Sequence, residues 1–212
     1  MQKLRNKFFV SLFLASITLW ISACAGVESA TTDREIESVP PAALLATDDA
    51  MNESAIRFLE NRLKQDPEDF SANNKLAGLY LQKLRETGNA TYLDLTFRVA
   101  HASLNSVPEV RNAGGLAALA LAEFASHDFE LARDHAIRLA ELEPTKSYPQ
   151  GILGDALLEL GEYERAEIAY KKITLLDRGA SHASETRFAR LAQLRGDNAG
   201  AKSILQRRSR SR

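Results

Sequence analysis

The chain has 212 residues, a formal net charge of −1 and one cysteine, Cys24. That length holds one domain or one short repeat array. The balanced charge argues against nucleic acid as a general partner, and a lone cysteine excludes an internal disulfide. At the N-terminus, Met1 to Lys7 carries Lys3, Arg5 and Lys7 and no acid. Phe8 to Ile21 is apolar except for Ser11, Ser16 and Thr18, and small residues flank Cys24. A basic start, a short apolar middle and a small-residue end are the marks of a secretory signal peptide. The apolar run falls short of the ~20 residues that span a bilayer.

The end of that run, Ile21-Ser22-Ala23-Cys24, resembles the lipobox of bacterial lipoprotein precursors. The resemblance implies a diacylglyceryl group on the Cys24 thiol, removal of residues 1–23 and acylation of the new amine. Two or three chains anchor stably, whereas one binds marginally at ~0.8 kcal/mol per buried CH₂. The alternative is an ordinary secretory signal that ends beside a cysteine. Ala25 follows the cysteine. In bacteria of the enteric type an aspartate there retains lipoproteins in the inner membrane. Its absence implies the outer membrane, on the periplasmic face, or, in a bacterium with a single membrane, the outer face of the plasma membrane. Cleavage leaves 189 residues and takes the charge from −1 to −4, since three bases and no acid depart.

Residues 24–48 then read as the lipidated cysteine and a flexible linker. The linker is rich in Ser, Thr and acids, has no sustained period, and is stiffened at Pro40-Pro41. A stretch of this length has a root-mean-square reach of roughly 25–30 Å. A single helix is expected over 49–66, with Met51, Ala55, Phe58, Leu59 and Leu63 on one apolar face. It stops at Asp66-Pro67.

A helical hairpin then recurs. Its clearest copy is Ser147 to Gly179, with Leu153-Gly154 and Leu157 on the first helix and Ala166, Tyr170 and Ile173 on the second. Leu119 to Leu153, Ala132 to Ala166 and Pro144 to Arg178 are each 34 apart. Leu153 to Phe188 and Ala166 to Ala201 are 35. This resembles the tetratricopeptide repeat (TPR), a 34-residue hairpin with W-x2-L-G-x2-Y…A-x3-F…P spacing. Hairpins of about 70–108, 111–144, 145–178 and 181–212 follow, making an all-α TPR solenoid of about nine helices over 49–212. Small residues Ala120, Gly154, Ala189, Ala132, Ala166 and Ala201 are expected to let paired backbones approach. In the first hairpin, Leu76 to Leu119 is 43, and the surplus is expected partly in a longer loop at "RETGNAT". The basic end, with Arg207, Arg208, Arg210 and Arg212, reads as a solvated, frayed tail; the alternative is contact with anionic headgroups or an acidic partner.

No HExxH, phosphate loop, GxSxG or CxxC is present. His101, His127, His135 and His182 lack the i,i+3 or i,i+4 spacing of a helical metal site. The sequence therefore predicts no enzyme, cofactor or metal. Tetratricopeptide arrays bind peptides in the groove lined by first helices. By that resemblance the groove positions are Asn74, Gly78 and Leu81; Ala117, Leu121 and Phe124; Gly151, Asp155 and Leu158; and Thr186, Arg190 and Gln193. Only Asn74 and Arg190 suit a carboxylate clamp. Leu121 and Phe124 beside Asp155 and Arg190 better suit an amphipathic segment. The architecture resembles bacterial TPR lipoproteins. They imply a non-catalytic scaffold with a protein or peptide partner, joined to the membrane through lipid. The alternative is a pilotin-like assembly factor for one outer-membrane machine.

Overall fold

A computed structural model describes residues 41–179 and 181–210. Chain contacts define two units, Met1–Leu44 and Leu45–Arg212. Of the first, only the helical residues 41–44 are described; the second unit holds all the other described residues. Cys24, the signal segment 1–23 and the linker up to residue 40 lie outside the described residues. No helix among the described residues is long and apolar enough to cross a membrane.

The described residues form nine α-helices. In chain order they are α1 (Pro41–Gln65), α2 (Phe70–Thr87), α3 (Thr91–Ser106), α4 (Ala113–Ala125), α5 (Phe129–Leu142), α6 (Tyr148–Glu159), α7 (Tyr163–Leu176), α8 (His182–Leu194) and α9 (Asn198–Arg210). A short 3-10 turn, Glu109–Arg111, separates α3 from α4. From α2 onward the helices pair as antiparallel hairpins, α2 with α3, α4 with α5, α6 with α7 and α8 with α9. This is the four-hairpin solenoid with one preceding helix that the repeat pattern predicts.

Turn chemistry makes the hairpins alike. In the last three, a backbone N–H just past the turn donates to a carbonyl near the end of the first helix. Asp128 donates to Glu123 O at 2.8 Å, Glu162 to Leu157 O at 2.9 Å and Asp197 to Ala192 O at 2.9 Å. That bond requires a left-handed residue immediately before the donor. Gly161 (φ 78°) and Gly196 (φ 84°) supply it without steric cost, and His127 (φ 66°) supplies it with one.

Packing follows the small-residue rows. Ala120, Ala132 and Ala166 are fully buried, and Gly154, Ala189 and Ala201 are also buried. A Cβ on Gly154 would overlap the Tyr170 ring, so this glycine lets α7 close on α6. Three apolar clusters succeed one another along the array. The first joins Ile56 and Leu59 to Leu76, Tyr80, Val99 and Leu119. The second holds Leu116, Ala136, Leu139 and Ile152. The third holds Leu157, Leu158, Tyr170, Ile173 and Leu191. Each cluster draws on adjacent hairpins, because a hairpin cannot bury its apolar face alone.

The polar lock between the first and second hairpins is centred on Asn112, which is 2% exposed. Its Oδ1 caps α4 by accepting from Gly115 N at 3.0 Å. Its amide donates to Ser103 O at 3.0 Å and to Ser103 Oγ at 2.8 Å. Asn74 Nδ2 donates to the same Oδ1 at 2.8 Å, and Ser103 Oγ donates to Asn74 Oδ1 at 2.6 Å.

The structure departs from four expectations. First, α1 begins at Pro41, so 41–48 are helical where a linker was expected. Proline in a first turn costs no intrahelical donor, so Pro40-Pro41 marks a start as well as a stop. Second, Met51 and Phe58 are not on the core face of α1; they are 65% and 66% exposed, while Ile56 and Leu59 are buried. Polar partners set that phase: Tyr80 donates to Glu60 at 2.7 Å, and buried Lys83 pairs with Glu53 at 2.7 Å. Third, the surplus of the first hairpin is in longer helices, 18 residues in α2 against 13 in α4, and not in a loop at "RETGNAT". Fourth, α9 stays helical through Arg210 rather than fraying from the first arginine.

Candidate partner-binding groove

The first helices pack side by side, α2 on α4, α4 on α6 and α6 on α8. Residues one repeat apart therefore share a face, and the residues assigned to the groove differ in how free they are on it. Gly78 is exposed, and a Cβ there would have open space around it. Leu121 is 38% exposed on α4. Phe124, half-buried, meets Phe129 edge-on at 5.3 Å between centroids. Leu158 is buried, so it belongs to the core cluster and backs the groove without lining it openly. Asn74 has both ends of its amide engaged with Asn112 and Ser103. A role for it in gripping a peptide terminus would require breaking that lock.

The structure gathers Phe124, Asp155, Leu158 and Arg190 around one cleft of ≈ 520 Å³ between α4, α6 and α8. Asn74, Gly78 and Leu121 lie elsewhere along the first-helix face. Gln193 lines a different cleft with Arg190, between α8 and α9.

In the cleft, the groove position Asp155 is ion-paired with Arg187, which lies outside the groove positions. Arg187 Nε donates to Asp155 Oδ1 at 2.8 Å, and Nη2 donates to Oδ2 at 2.6 Å. Tyr170, fully buried, donates its hydroxyl to the same Oδ1 at 3.1 Å. Burial works against the Arg187 charge, but hydrogen bonding to and attraction by Asp155 outweigh it and leave its pKa raised. Burial, and then the Asp155 charge and hydrogen bond, push the Tyr170 phenol up. This bidentate geometry fixes both side chains. The sequence signal for it was Gly151: a Cβ there would stand 3.1 Å from Arg187 Nη2, so the glycine makes room for the guanidinium. Arg190, one turn on, is exposed and has no ion-pair partner among the described residues.

The remaining polar groups serve packing. Glu123, 5% exposed, lies 2.6 Å from His135 Nδ1 across the α4–α5 hairpin. His101 stacks on Phe97 and His127 meets Phe129 edge-on. Among the acids near the third hairpin, Glu167 accepts from Arg195 at 2.6 Å and pairs with Lys171 at 2.6 Å. Those hydrogen bonds hold its carboxyl below the usual range. Among the described residues, no group of three or more His, Cys, Asp or Glu side chains is placed to hold a metal ion.

A crystal structure of MamA is similar over 82% of this chain and 97% of its own, with a TM-score of 0.59 and 19% identity. A Podosopora anserina putative kinesin light chain with nearly identical TPR-like repeats is similar over 78% of this chain and 89% of its own, with a TM-score of 0.55 and 14% identity. No protein-family model and no curated protein matches the sequence. At such identities the likeness concerns the backbone alone, and it is enough to describe the array as an all-α, TPR-like repeat solenoid.

Proposed function

We propose that the protein is a membrane-anchored, non-catalytic scaffold that binds a peptide or protein segment in its first-helix groove at the bacterial cell envelope. The observation that carries this reading is the state of the groove itself. Leu121 and Arg190 stand exposed on it, while Asp155 and Arg187 satisfy each other. An apolar contact and an exposed cation suit an amphipathic segment that carries an acid. Lipid on Cys24, removal of residues 1–23 and an outer-membrane position facing the periplasm complete the proposal. Ile21-Ser22-Ala23-Cys24 and Ala25 support that part.

Photo-crosslinking in intact cells tests the groove. A photoreactive residue at Leu121 and another at Arg190 are expected to capture the same partner. The same residue at Leu131, 47% exposed on the second helix α5, is expected not to. Equal capture from all three positions would sink the groove reading. Capture of a single subunit in stoichiometric yield would favour a dedicated assembly factor over a general scaffold. For the anchor, Cys24→Ser is expected to move the protein out of the carbonate-washed membrane fraction.

A further inference from the structure

Most exposed apolar side chains of the array stand singly, as is normal for a protein surface. Two helices carry an exposed pair seven residues apart, Ile168 and Leu175 on α7 and Met51 and Phe58 on α1, and of the two α1 is the one that directly follows the Cys24 segment in the chain. Met51 and Phe58, 65% and 66% exposed, are seven residues apart, two helical turns, and so lie on one face. The two acids among residues 50–65 of this helix are both engaged. Glu53 and Glu60 turn toward α2, where Lys83 and the Tyr80 hydroxyl hold them. Arg57, Arg62 and Lys64 are all exposed. Arg57 and Lys64 reach only the neutral partners Ser54 and Asn61 among the described residues. Arg62 also meets the Asp69 carboxylate. The outward face thus sets two large apolar side chains beside exposed bases, while Glu53 and Glu60 are engaged inward.

We propose that this face of α1 docks on an anionic lipid surface, with Phe58 and Met51 at the headgroup boundary and Arg57 and Lys64 among the phosphates. Apolar residues flanked by bases on one helical face are the chemistry of interfacial helices. The proposal rests on the lipid anchor at Cys24. Pro41, where α1 begins, is 17 residues beyond Cys24. A chain of that length spans at most about 60 Å however it is arranged. α1 is the first described element after the anchor, held near the bilayer at an effective concentration on the order of millimolar. A weak surface contact is then occupied, and it supplies the second signal that turns acyl anchoring into a defined orientation.

The single cysteine makes the test direct. If Cys24 carries lipid as a thioether, the mature chain has no free thiol, and Phe58→Cys introduces the only one. The lipidated chain, purified from membranes, is labelled there with a thiol-reactive, polarity-sensitive dye. It is then placed in vesicles of phosphatidylglycerol and phosphatidylethanolamine. Expected are a blue shift of emission and a severalfold loss of quenching by aqueous iodide, both weakened in phosphatidylcholine vesicles and by Arg57→Glu with Lys64→Glu. Leu175→Cys, on a residue 76% exposed on α7, is expected to stay fully quenchable. A dye at position 58 that is as quenchable as one at 175 in anionic vesicles would overturn the docking. So would protection of position 58 by a co-purifying protein in detergent, with no lipid surface present. A parent chain whose Cys24 itself takes the dye would remove the anchor, and with it this proposal, and is distinguished by the label on the unsubstituted protein.

Discussion

Among the helical glycines, Gly78 and Gly154 are expected to respond with opposite sign to the same added methyl. In Gly154→Ala the new Cβ would overlap Tyr170 Cε1, stand 2.7 Å from Cδ1 and 3.2 Å from Ala169 Cβ. Tyr170 has no room to yield: it is 0% exposed, its hydroxyl is held by Asp155, and Phe188 packs on it at 5.9 Å between centroids. Overpacking a core by one methyl costs about 1–3 kcal/mol. Displacing the ring also weakens a hydrogen bond to a carboxylate, a contact worth about 1.5–3 kcal/mol. Against this, alanine gains about 0.5–1 kcal/mol over glycine inside a helix. The net expectation is a loss of roughly 2–4 kcal/mol, or a fall in Tm of roughly 5–15 °C for a chain of this size. Gly78→Ala meets nothing within 4 Å, so only the helical gain remains and Tm is expected to rise by roughly 1–4 °C. Circular-dichroism melts of the two variants and the parent decide it. Hydrogen exchange should place the Gly154→Ala lesion in α6 to α8 and spare α2 and α3, because repeats couple chiefly to their neighbours. A Gly154→Ala chain as stable as its parent would refute the claim that this glycine is required by the close approach of α6 and α7.

The other expectations concern the turn, the polar lock, the groove and acid. His127→Gly, relieving φ 66°, should stabilise by up to ~1 kcal/mol, read as a higher urea midpoint; the lost Phe129 contact offsets part of this. Asn112→Ala removes the α4 cap and leaves Ser103 and Asn74 short of partners. It should cost about 2–4 kcal/mol, with exchange protection lost first where α3 meets α4. Arg190→Glu, at an exposed position, should shift stability by less than ~0.5 kcal/mol yet abolish capture of the partner from Leu121. Asp69 and Glu167 have lowered pKa values, Asp69 chiefly because Ala72 N–H and then Arg62 donate to it, and Glu167 because Lys171 and Arg195 do. Their folded states bind protons less readily than the unfolded chain, so their stabilisation is present above the ordinary carboxylate range. It is lost as pH falls through and below about 4. Melts from neutral pH to pH 3 should show Tm falling, and less steeply in Asp69→Asn.

The last three hairpins were legible because their signal is repetition. Leu119 and Leu153, or Ala132 and Ala166, recur at the repeat length, and a small residue at each closest approach leaves little choice of partner face. α1 was misphased because its register is set by polar contacts with α2, Glu60 with Tyr80 and Glu53 with Lys83. Apolar periodicity does not record such contacts. His127 was opaque for a related reason: a left-handed turn residue is announced by glycine, as at Gly161 and Gly196, and here histidine adopts the same backbone. In the groove, the repeat period says which residues face the same way but not which reach one another. Asp155 and Arg187 are 32 residues apart and meet because α8 packs beside α6, where Gly151 leaves room for the guanidinium. That pairing changes what the groove offers. With Asp155 neutralised by Arg187 and Asn74 committed to Asn112, the charged residues picked out along the face reduce to Arg190, with Thr186 and Gln193 as neutral polar groups beside it. On the proposed groove reading, the uncharged stretch through Gly78, Ala117 and Leu121 sets shape, and Arg190 sets the charge that a partner must answer. A ligand lacking an acid near that end would leave the exposed Arg190 guanidinium without a role.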